Sequence, residues 1–148
     1  MKKIMFALCA LLVSLFANGQ NDKADNIIGK YFSTQGKDSY RVEVTKQSDG
    51  TYKGTIYWLS NPYEKDGSIS LDRKNPDKSL RNTPMDKVVL FSGLSYDSAK
   101  KQWSGAKIYD PQRGISVKMT ARFENSDTLI IRGTVLGIGE SISWKREK

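Results

Sequence analysis

The chain has 148 residues, a formal net charge of +8, no histidine and one cysteine, Cys9. Ser-His-Asp and Cys-His nucleophilic sites need an imidazole base, and the usual zinc sites need His or Cys ligands, so the composition argues against these kinds of site. The sequence predicts no metal and no cofactor. Catalysis on carboxylate, tyrosine, lysine or arginine side chains stays open, and we favour the interpretation that the protein is not an enzyme.

Residues 1–19 have the layout of a secretory signal peptide. Two lysines precede an apolar run over residues 4–16, and residues 17–19 place small side chains where a signal peptidase cuts. The run is shorter than the ~20 residues of a membrane-spanning helix, so a retained anchor is the less favoured alternative. We expect an exported protein, periplasmic or extracellular, whose mature part is a single domain over residues 20–148. This mature part holds no cysteine and no transmembrane segment.

The positive charge is spread thinly along the chain. Adjacent basic pairs such as Lys100-Lys101 are few, and no known nucleic-acid-binding module accompanies them. We therefore predict no nucleic-acid partner and interpret the charges as a solvated outer surface, with at most a weak attraction to anionic envelope polymers.

Apolar and polar residues alternate with period two along the mature chain, which indicates strands with one buried face. In one example, Ile115, Val117 and Met119 share a face. Short turns separate most of the strands and require antiparallel pairing. We favour a closed, up-and-down barrel over a sandwich because closure removes exposed strand edges. The pattern predicts an all-β fold of eight strands, at residues 27–33, 39–46, 51–60, 86–96, 102–110, 114–123, 127–135 and 140–147.

One predicted connection, residues 61–85 between strands three and four, is much longer than the others. It contains Pro62, Pro76 and Pro84, three of the four prolines in the chain. Long connections in compact domains are often lids or binding loops. Two interpretations stay open: the loop is the rim of a binding site, or it covers one barrel end and serves stability alone.

Two spaced motifs carry a resemblance to a known family. The first is Asn75-Pro76-Asp77 followed by Leu80-Arg81 and Pro84, and the second is Trp103-Ser104-Gly105 followed by the segment 108–111 and Gly114. With the aromatic strand at 54–59 and the closing Trp144 and Arg146, these motifs resemble the DUF2147 family of exported bacterial proteins. The resemblance covers nearly all of the mature chain. It implies the fold and the export, and it implies no activity.

A second resemblance concerns the first and the last strand of the predicted barrel. Gly29-Lys30-Tyr31, together with Arg146, is similar to the Gly-x-Trp and terminal arginine of lipocalin-like (calycin) barrels, with tyrosine in place of tryptophan. The resemblance implies that Arg146 packs across the Tyr31 ring at the closed end. Such a cation–π contact would be a structural brace and not a binding site.

Three glycines, Gly54, Gly105 and Gly133, fall on positions predicted to face the barrel interior. Each missing side chain leaves space that either a ligand occupies or tryptophan side chains fill, and glycine also permits a strand bend. Core filling with bending is the favoured explanation, because small barrels usually fill their interiors with side chains.

The candidate binding residues lie at the end of strand three, in the long loop and on strand five. Aromatic side chains at a barrel mouth can stack on a sugar ring or an apolar tail. Arg81 is predicted to dock the loop by binding Asp110 or Asp77, with contact to an anionic ligand as the alternative. Asp110 also suits the first position of a turn, which is a purely structural explanation. The candidates are Trp58, Tyr63, Asn75, Asp77, Arg81, Trp103, Tyr109 and Asp110.

Three functions are compatible with these patterns. The favoured one is an exported barrel that binds a small apolar or amphipathic molecule, with the loop at 61–85 as its rim. The alternative is a non-catalytic structural or interaction protein of the cell envelope, whose partner is an envelope component. A minor alternative is a glycan hydrolase that uses Asp77 and Asp110, because that reaction needs only two carboxyl groups.

Overall fold

The computed structural model of the chain describes residues 19–135 and 137–148. Eight antiparallel strands form a closed barrel in which each strand pairs with its neighbours in sequence and the first pairs with the last. The predicted eight-stranded up-and-down barrel is confirmed. The strands are β1 (Gly29–Gln35), β2 (Asp38–Lys46), β3 (Tyr52–Leu59), β4 (Val89–Asp97), β5 (Gln102–Asp110), β6 (Ile115–Phe123), β7 (Thr128–Val135) and β8 (Ile138–Arg146).

In the part of the chain that the structure describes, three short 3₁₀ helices accompany the strands, at Ala24–Ile27, Lys78–Leu80 and Met85–Lys87. Within the described ranges, no helix has the length and apolar character needed to cross a membrane. The predicted signal peptide lies outside the described residues except for Gly19.

The predicted strand ends lie close to the observed ones, and the start of β4 is among those that differ most. The alternation of residues predicts a strand from residue 86, whereas β4 begins at Val89. Residues Met85–Lys87 form a 3₁₀ helix after Pro84, whose φ is −55°. A proline favours the start of a helical turn because its φ is restricted and it has no N–H group to leave unpaired. The β3–β4 connection therefore runs over residues 60–88.

The segment before β1 closes one end of the barrel. The Trp103 indole N–H donates to the Ala24 carbonyl at 3.0 Å, and the Asn21 side chain bonds the backbone N–H and C=O of Phe123 at 2.8 and 2.9 Å. Ile27 is completely buried against the same core. This end also receives the β2–β3, β4–β5 and β6–β7 turns, and large side chains fill it.

Arg146 braces this closed end. It pairs with Tyr31 between β8 and β1, and its guanidinium lies 5.4 Å from the Tyr31 ring centroid and 5.0 Å from that of Phe123. It also donates to the Tyr31 hydroxyl at 3.0 Å and to the Asn26 carbonyl. A side chain on Gly29 would approach the guanidinium to 3.8 Å. The predicted cation–π brace is present.

The β3–β4 connection is held against the barrel by polar contacts. Lys74 donates to the Gln112 carbonyl at 2.7 Å, and its own carbonyl lies so close to Gly114 that a Cβ there would be 2.4 Å away. Gly114 has φ +68°, a left-handed conformation that glycine adopts without strain. The β5–β6 turn and the connection are therefore packed together at the end of the barrel opposite the N-terminal segment.

Candidate functional site

A cavity of about 570 Å³ occupies the half of the barrel opposite the closed end. The turns that line it join β1 to β2, β5 to β6 and β7 to β8, and the β3–β4 connection contributes Asn61, Glu64, Ser70 and Met85. Pockets for small molecules typically measure about 300–1,000 Å³, so the cavity is large enough for one ligand.

The inner wall of the cavity is aliphatic. Along each strand, the side chain of every second residue points into the barrel. The period-two pattern places apolar residues at these positions. Ile131 is almost completely buried, and Val117 and Ile108 are partly exposed to the cavity. The wall therefore favours an apolar ligand surface. Its principal aliphatic residues are Ile56, Leu90, Ile108, Val117, Ile131 and Ile142.

Tyr40 connects the cavity to the aromatic core of the filled half. Tyr40 lines the cavity, and its hydroxyl accepts a hydrogen bond from the Trp144 indole N–H at 3.1 Å. Phe91 stacks on Trp144 with 6.2 Å between ring centroids. The Phe91 ring also covers Gly54, where an added Cβ would lie 2.4 Å from it. These rings separate the filled half of the barrel from the hollow half.

Two irregularities lie where the regular ladder between β4 and β5 ends. The ladder between them runs from Ser95–Ser104 to Asp97–Gln102. Gly93 and Gly105 lie just beyond it, with φ of +74° and +86°. Residues other than glycine rarely adopt this conformation, and it is typical of β-bulges.

A buried hydrogen-bond network lies where the connection meets β5. The Tyr109 hydroxyl donates to one oxygen of Asp72 at 2.7 Å, and the Asn75 amide donates to the other at 2.7 Å. Asp72 is only 1% exposed. Burial raises the pKa of Tyr109 above its ordinary value, and the hydrogen bond to Asp72 adds to this effect. Tyr109 therefore stays a neutral donor that docks the connection.

Asp110 forms a turn of its own at the cavity mouth. Its carboxylate accepts from the backbone N–H of Gln112 at 2.9 Å and from Nε of Arg113 at 2.7 Å. This bonding matches the structural explanation offered by the turn pattern. The same carboxylate lies among the residues that line the cavity.

Of the eight predicted binding residues, Tyr109 and Asp110 line the cavity. Asn75 is buried and lies behind the cavity lining, where its side-chain amide donates to Asp72. Asp77 caps the 3₁₀ helix Lys78–Leu80 by accepting from the Ser79 N–H at 2.9 Å. The hydrogen bond from the Ser79 hydroxyl, and then this backbone bond, lower the pKa of Asp77.

The other four candidates lie away from the cavity wall. Arg81 donates from Nε to the Asn75 carbonyl at 2.7 Å, so it docks on a backbone carbonyl and not on the expected carboxylate of Asp110 or Asp77. Trp103 is fully buried in the closed end, and Tyr63 is 57% exposed on the connection.

Trp58 lies on the outer surface because of a bulge that the sequence pattern does not reveal. Arg41 pairs with Trp58 and Val42 with Ile56, so Tyr57 is an extra residue on β3. The extra residue reverses the alternation, and Trp58 then faces outward with the Arg41 guanidinium 4.6 Å from its ring. Leu59 faces the cavity instead.

The inward glycines have different outcomes. Phe91 fills the space at Gly54, in agreement with core filling. Gly105 is exposed, so its expected inward orientation is wrong, because the bulge at this residue changes the register. Gly133 lines the cavity, and a Cβ there would lie 2.8 Å from the Val117 side chain.

Sequence reasoning missed most of the aliphatic wall and the acidic residues of the mouth. The strand alternation identifies Val117, Ile131 and Ile142 as inward residues, but no local signal distinguishes the hollow half of the barrel from the filled half. Glu64 and Glu140 line the cavity from the connection and from β8. Their distance in sequence hides their common location.

Comparison with protein families gives a match over residues 29–146 to a family described as uncharacterized proteins conserved in bacteria, DUF2147. The chain belongs to the DUF2147 family. A solved structure with a similar fold is HP1028 from Helicobacter pylori, a protein described as belonging to the lipocalin family. That similarity has a TM-score of 0.65 and 26% sequence identity, and it covers 82% of this chain and 83% of the other. The curated proteins give no significant match.

This DUF2147 chain is thus similar to a lipocalin-family barrel over most of its length. The predicted resemblance to both groups is confirmed. The barrel, its closed end and its cavity define the candidate site.

Proposed function

We propose that this DUF2147 protein is an exported barrel that binds one small apolar or amphipathic molecule in its cavity. The observation that carries the proposal is the cavity of about 570 Å³ with an aliphatic wall and a polar mouth. Eight-stranded barrels of the lipocalin type have interiors that hold a single small ligand. The similarity to a lipocalin-family structure supports the same function.

The arrangement of polar groups supports an amphipathic ligand. Hydrogen-bonding side chains and backbone groups concentrate at the turns, whereas residues such as Ile56 and Ile131 surround the deeper part. A bound molecule gains by placing apolar surface against the wall and leaving its polar end near water. The β3–β4 connection, docked through Asp72 and Tyr109, forms one side of this mouth.

The export belongs to the same proposal. It rests on the lysines, apolar run and small residues of positions 1–19. We propose a periplasmic or extracellular location on that pattern.

A second candidate function is an envelope interaction protein. Its supporting observation is an outer-surface stack in which the Arg41 guanidinium lies 4.6 Å from the Trp58 ring centroid and 6.0 Å from that of Phe32. Trp58 is 37% exposed. Aromatic and arginine side chains are enriched at protein interfaces. Loss of an envelope partner in a pull-down with Trp58→Ser, but not with Val117→Trp, would favour this function.

The experiment for the cavity uses N-phenyl-1-naphthylamine, a neutral apolar dye that fluoresces more strongly away from water. We expect saturable binding to the wild type. Val117→Trp places a large ring in the cavity and should abolish it. The matched control is Lys118→Trp, because Lys118 is the next residue on β6 and is exposed. Dye binding that is absent from the wild type, or equal in both variants, would refute the proposal.

Native mass spectrometry of protein isolated from its own host gives an independent test. A bound small molecule should be present in the wild type and in Lys118→Trp, and absent from Val117→Trp. Circular dichroism of both variants is the control that they are folded.

A further inference from the structure

The charged residues that line the cavity have a net charge opposite in sign to that of the whole chain. Among the described residues, the lining contains four acidic side chains and one basic side chain, a net formal charge of −3, whereas the chain carries +8. The acidic residues come from the start of β2, the β3–β4 connection, the end of β5 and β8. They are Asp38, Glu64, Asp110 and Glu140, and the basic residue is Arg113.

Arg113 already has an acidic partner. Its Nε donates to an oxygen of Asp110 at 2.7 Å, and this hydrogen bond, together with the negative charges of Asp110 and Glu140, raises the pKa of the guanidinium. An incoming anion would have to compete with these carboxylates for it. The described part of the cavity lining therefore gives an anionic headgroup no uncompensated cation.

The other acidic residues of the lining differ from Asp110 in this respect. Asp38, Glu64 and Glu140 form no ion pair with another described residue. Lys74 is a cation near the mouth, but its ammonium is bound to the Gln112 carbonyl and it is not part of the lining. Lys118 lies on the same strand as Val117 and is exposed, as expected for the outer face of the barrel.

We propose that the ligand of this cavity is an amphiphile with a cationic polar end, such as a long-chain amine or quaternary ammonium compound. This inference rests on the proposed binding function. The apolar chain lies against the aliphatic wall, and the positive group lies at the mouth among Asp38, Glu64 and Glu140. Long-chain carboxylates and sulfates are disfavoured, because their charge has the same sign as the mouth.

The test compares three ligands with the same alkyl chain: dodecylamine, dodecanol and dodecanoate. Each competes with N-phenyl-1-naphthylamine below its micelle-forming concentration. Because the carboxylates are partly solvated, we expect the amine to bind about tenfold more tightly than the other two. At 1 M salt, where the Debye length is about 3 Å, this preference should largely vanish.

The variant Glu64→Gln/Glu140→Gln should lose most of the preference for dodecylamine and keep its affinity for dodecanol. The control Glu43→Gln/Glu124→Gln makes the same change of charge at two exposed positions that do not line the cavity. It should keep the preference.

Two failures are distinguishable. If the dye binds but dodecylamine is no better a competitor than dodecanol or dodecanoate, the inference on charge is wrong and the binding function stands. The same conclusion follows if the two double variants behave alike. If the dye does not bind the wild type at all, the proposed function fails and the inference fails with it.

Discussion

The hydrogen bond between Tyr109 and Asp72 should be essential for docking of the β3–β4 connection. The donor and acceptor are 2.7 Å apart, and Asp72 is 1% exposed. Tyr109→Phe removes the hydroxyl and keeps the ring. One oxygen of a buried carboxylate then loses its protein donor, and water has little access to replace it.

The expected cost follows from the chemistry of that oxygen. A hydrogen bond to a charged group contributes about 1.5–3 kcal/mol, and an unsatisfied buried polar group costs a similar amount. We therefore expect Tyr109→Phe to lower the free energy of unfolding by about 2 kcal/mol. In a domain of this size that corresponds to a fall of about 6 °C in Tm.

Thermal unfolding followed by circular dichroism measures this fall, and amide exchange measures its location. The N–H of Asp72 bonds the Thr83 carbonyl and that of Asn75 bonds the Asp72 carbonyl, so both amides should exchange faster in the variant. The barrel strands should keep their protection. Tyr63→Phe is the control, because Tyr63 is 57% exposed on the same connection and should leave Tm nearly unchanged.

A change in Tm below about 1 °C for Tyr109→Phe would refute this reasoning, because it would show that the hydroxyl contributes almost nothing net. A double-mutant cycle with Asp72→Asn gives a further check. Since the two side chains touch, their effects should be non-additive by at least about 0.5 kcal/mol.

Three further predictions concern the ends of the barrel. Arg146→Lys should lower the free energy of unfolding, measured by urea titration, by about 2 kcal/mol. The reason is that an ammonium group cannot replace the planar guanidinium beside Tyr31 and Phe123. An unchanged urea midpoint would contradict the brace. Gly114→Ala should destabilise the protein more than Gly36→Ala. Both glycines have φ above +60°, but only at Gly114 would the added Cβ meet a backbone oxygen, at 2.4 Å. Equal losses of stability would show that the β3–β4 connection moves aside without cost. Burial raises the pKa of Tyr31 to about 12, so the folded state holds its proton more tightly than the unfolded state, and the urea midpoint should fall as the pH rises from 10 to 12. Below pH 10 this contribution is fully present, and Tyr31→Phe should show a smaller fall over the same range.

Local patterns suffice for the strands and for the closed end. Period-two alternation over segments such as 115–123 predicts a half-buried strand, and short turns leave antiparallel pairing as the only geometry. Tyr31 and Arg146 were identifiable because a resemblance to known barrels links two positions that are far apart in the chain.

Side-chain direction beyond a bulge was not predictable. A single extra residue at Tyr57 turns Trp58 outward and Leu59 inward, and the residue types of β3 do not indicate this bulge. The left-handed glycine at 105 has the same effect on β5. Alternation predicts the face on which a side chain lies only while the strand register is regular. The pairing with the partner strand determines where a bulge interrupts that register.

The sequence alone determined that the chain forms eight antiparallel strands, because each strand carries its own buried face in its residue pattern. Only the tertiary structure decided which part of the interior is hollow and what charge surrounds its mouth. A cavity is the volume that no side chain reaches, and Glu64 and Glu140 are neighbours of that volume only after the barrel has closed. Both properties depend on distances between residues far apart in the chain.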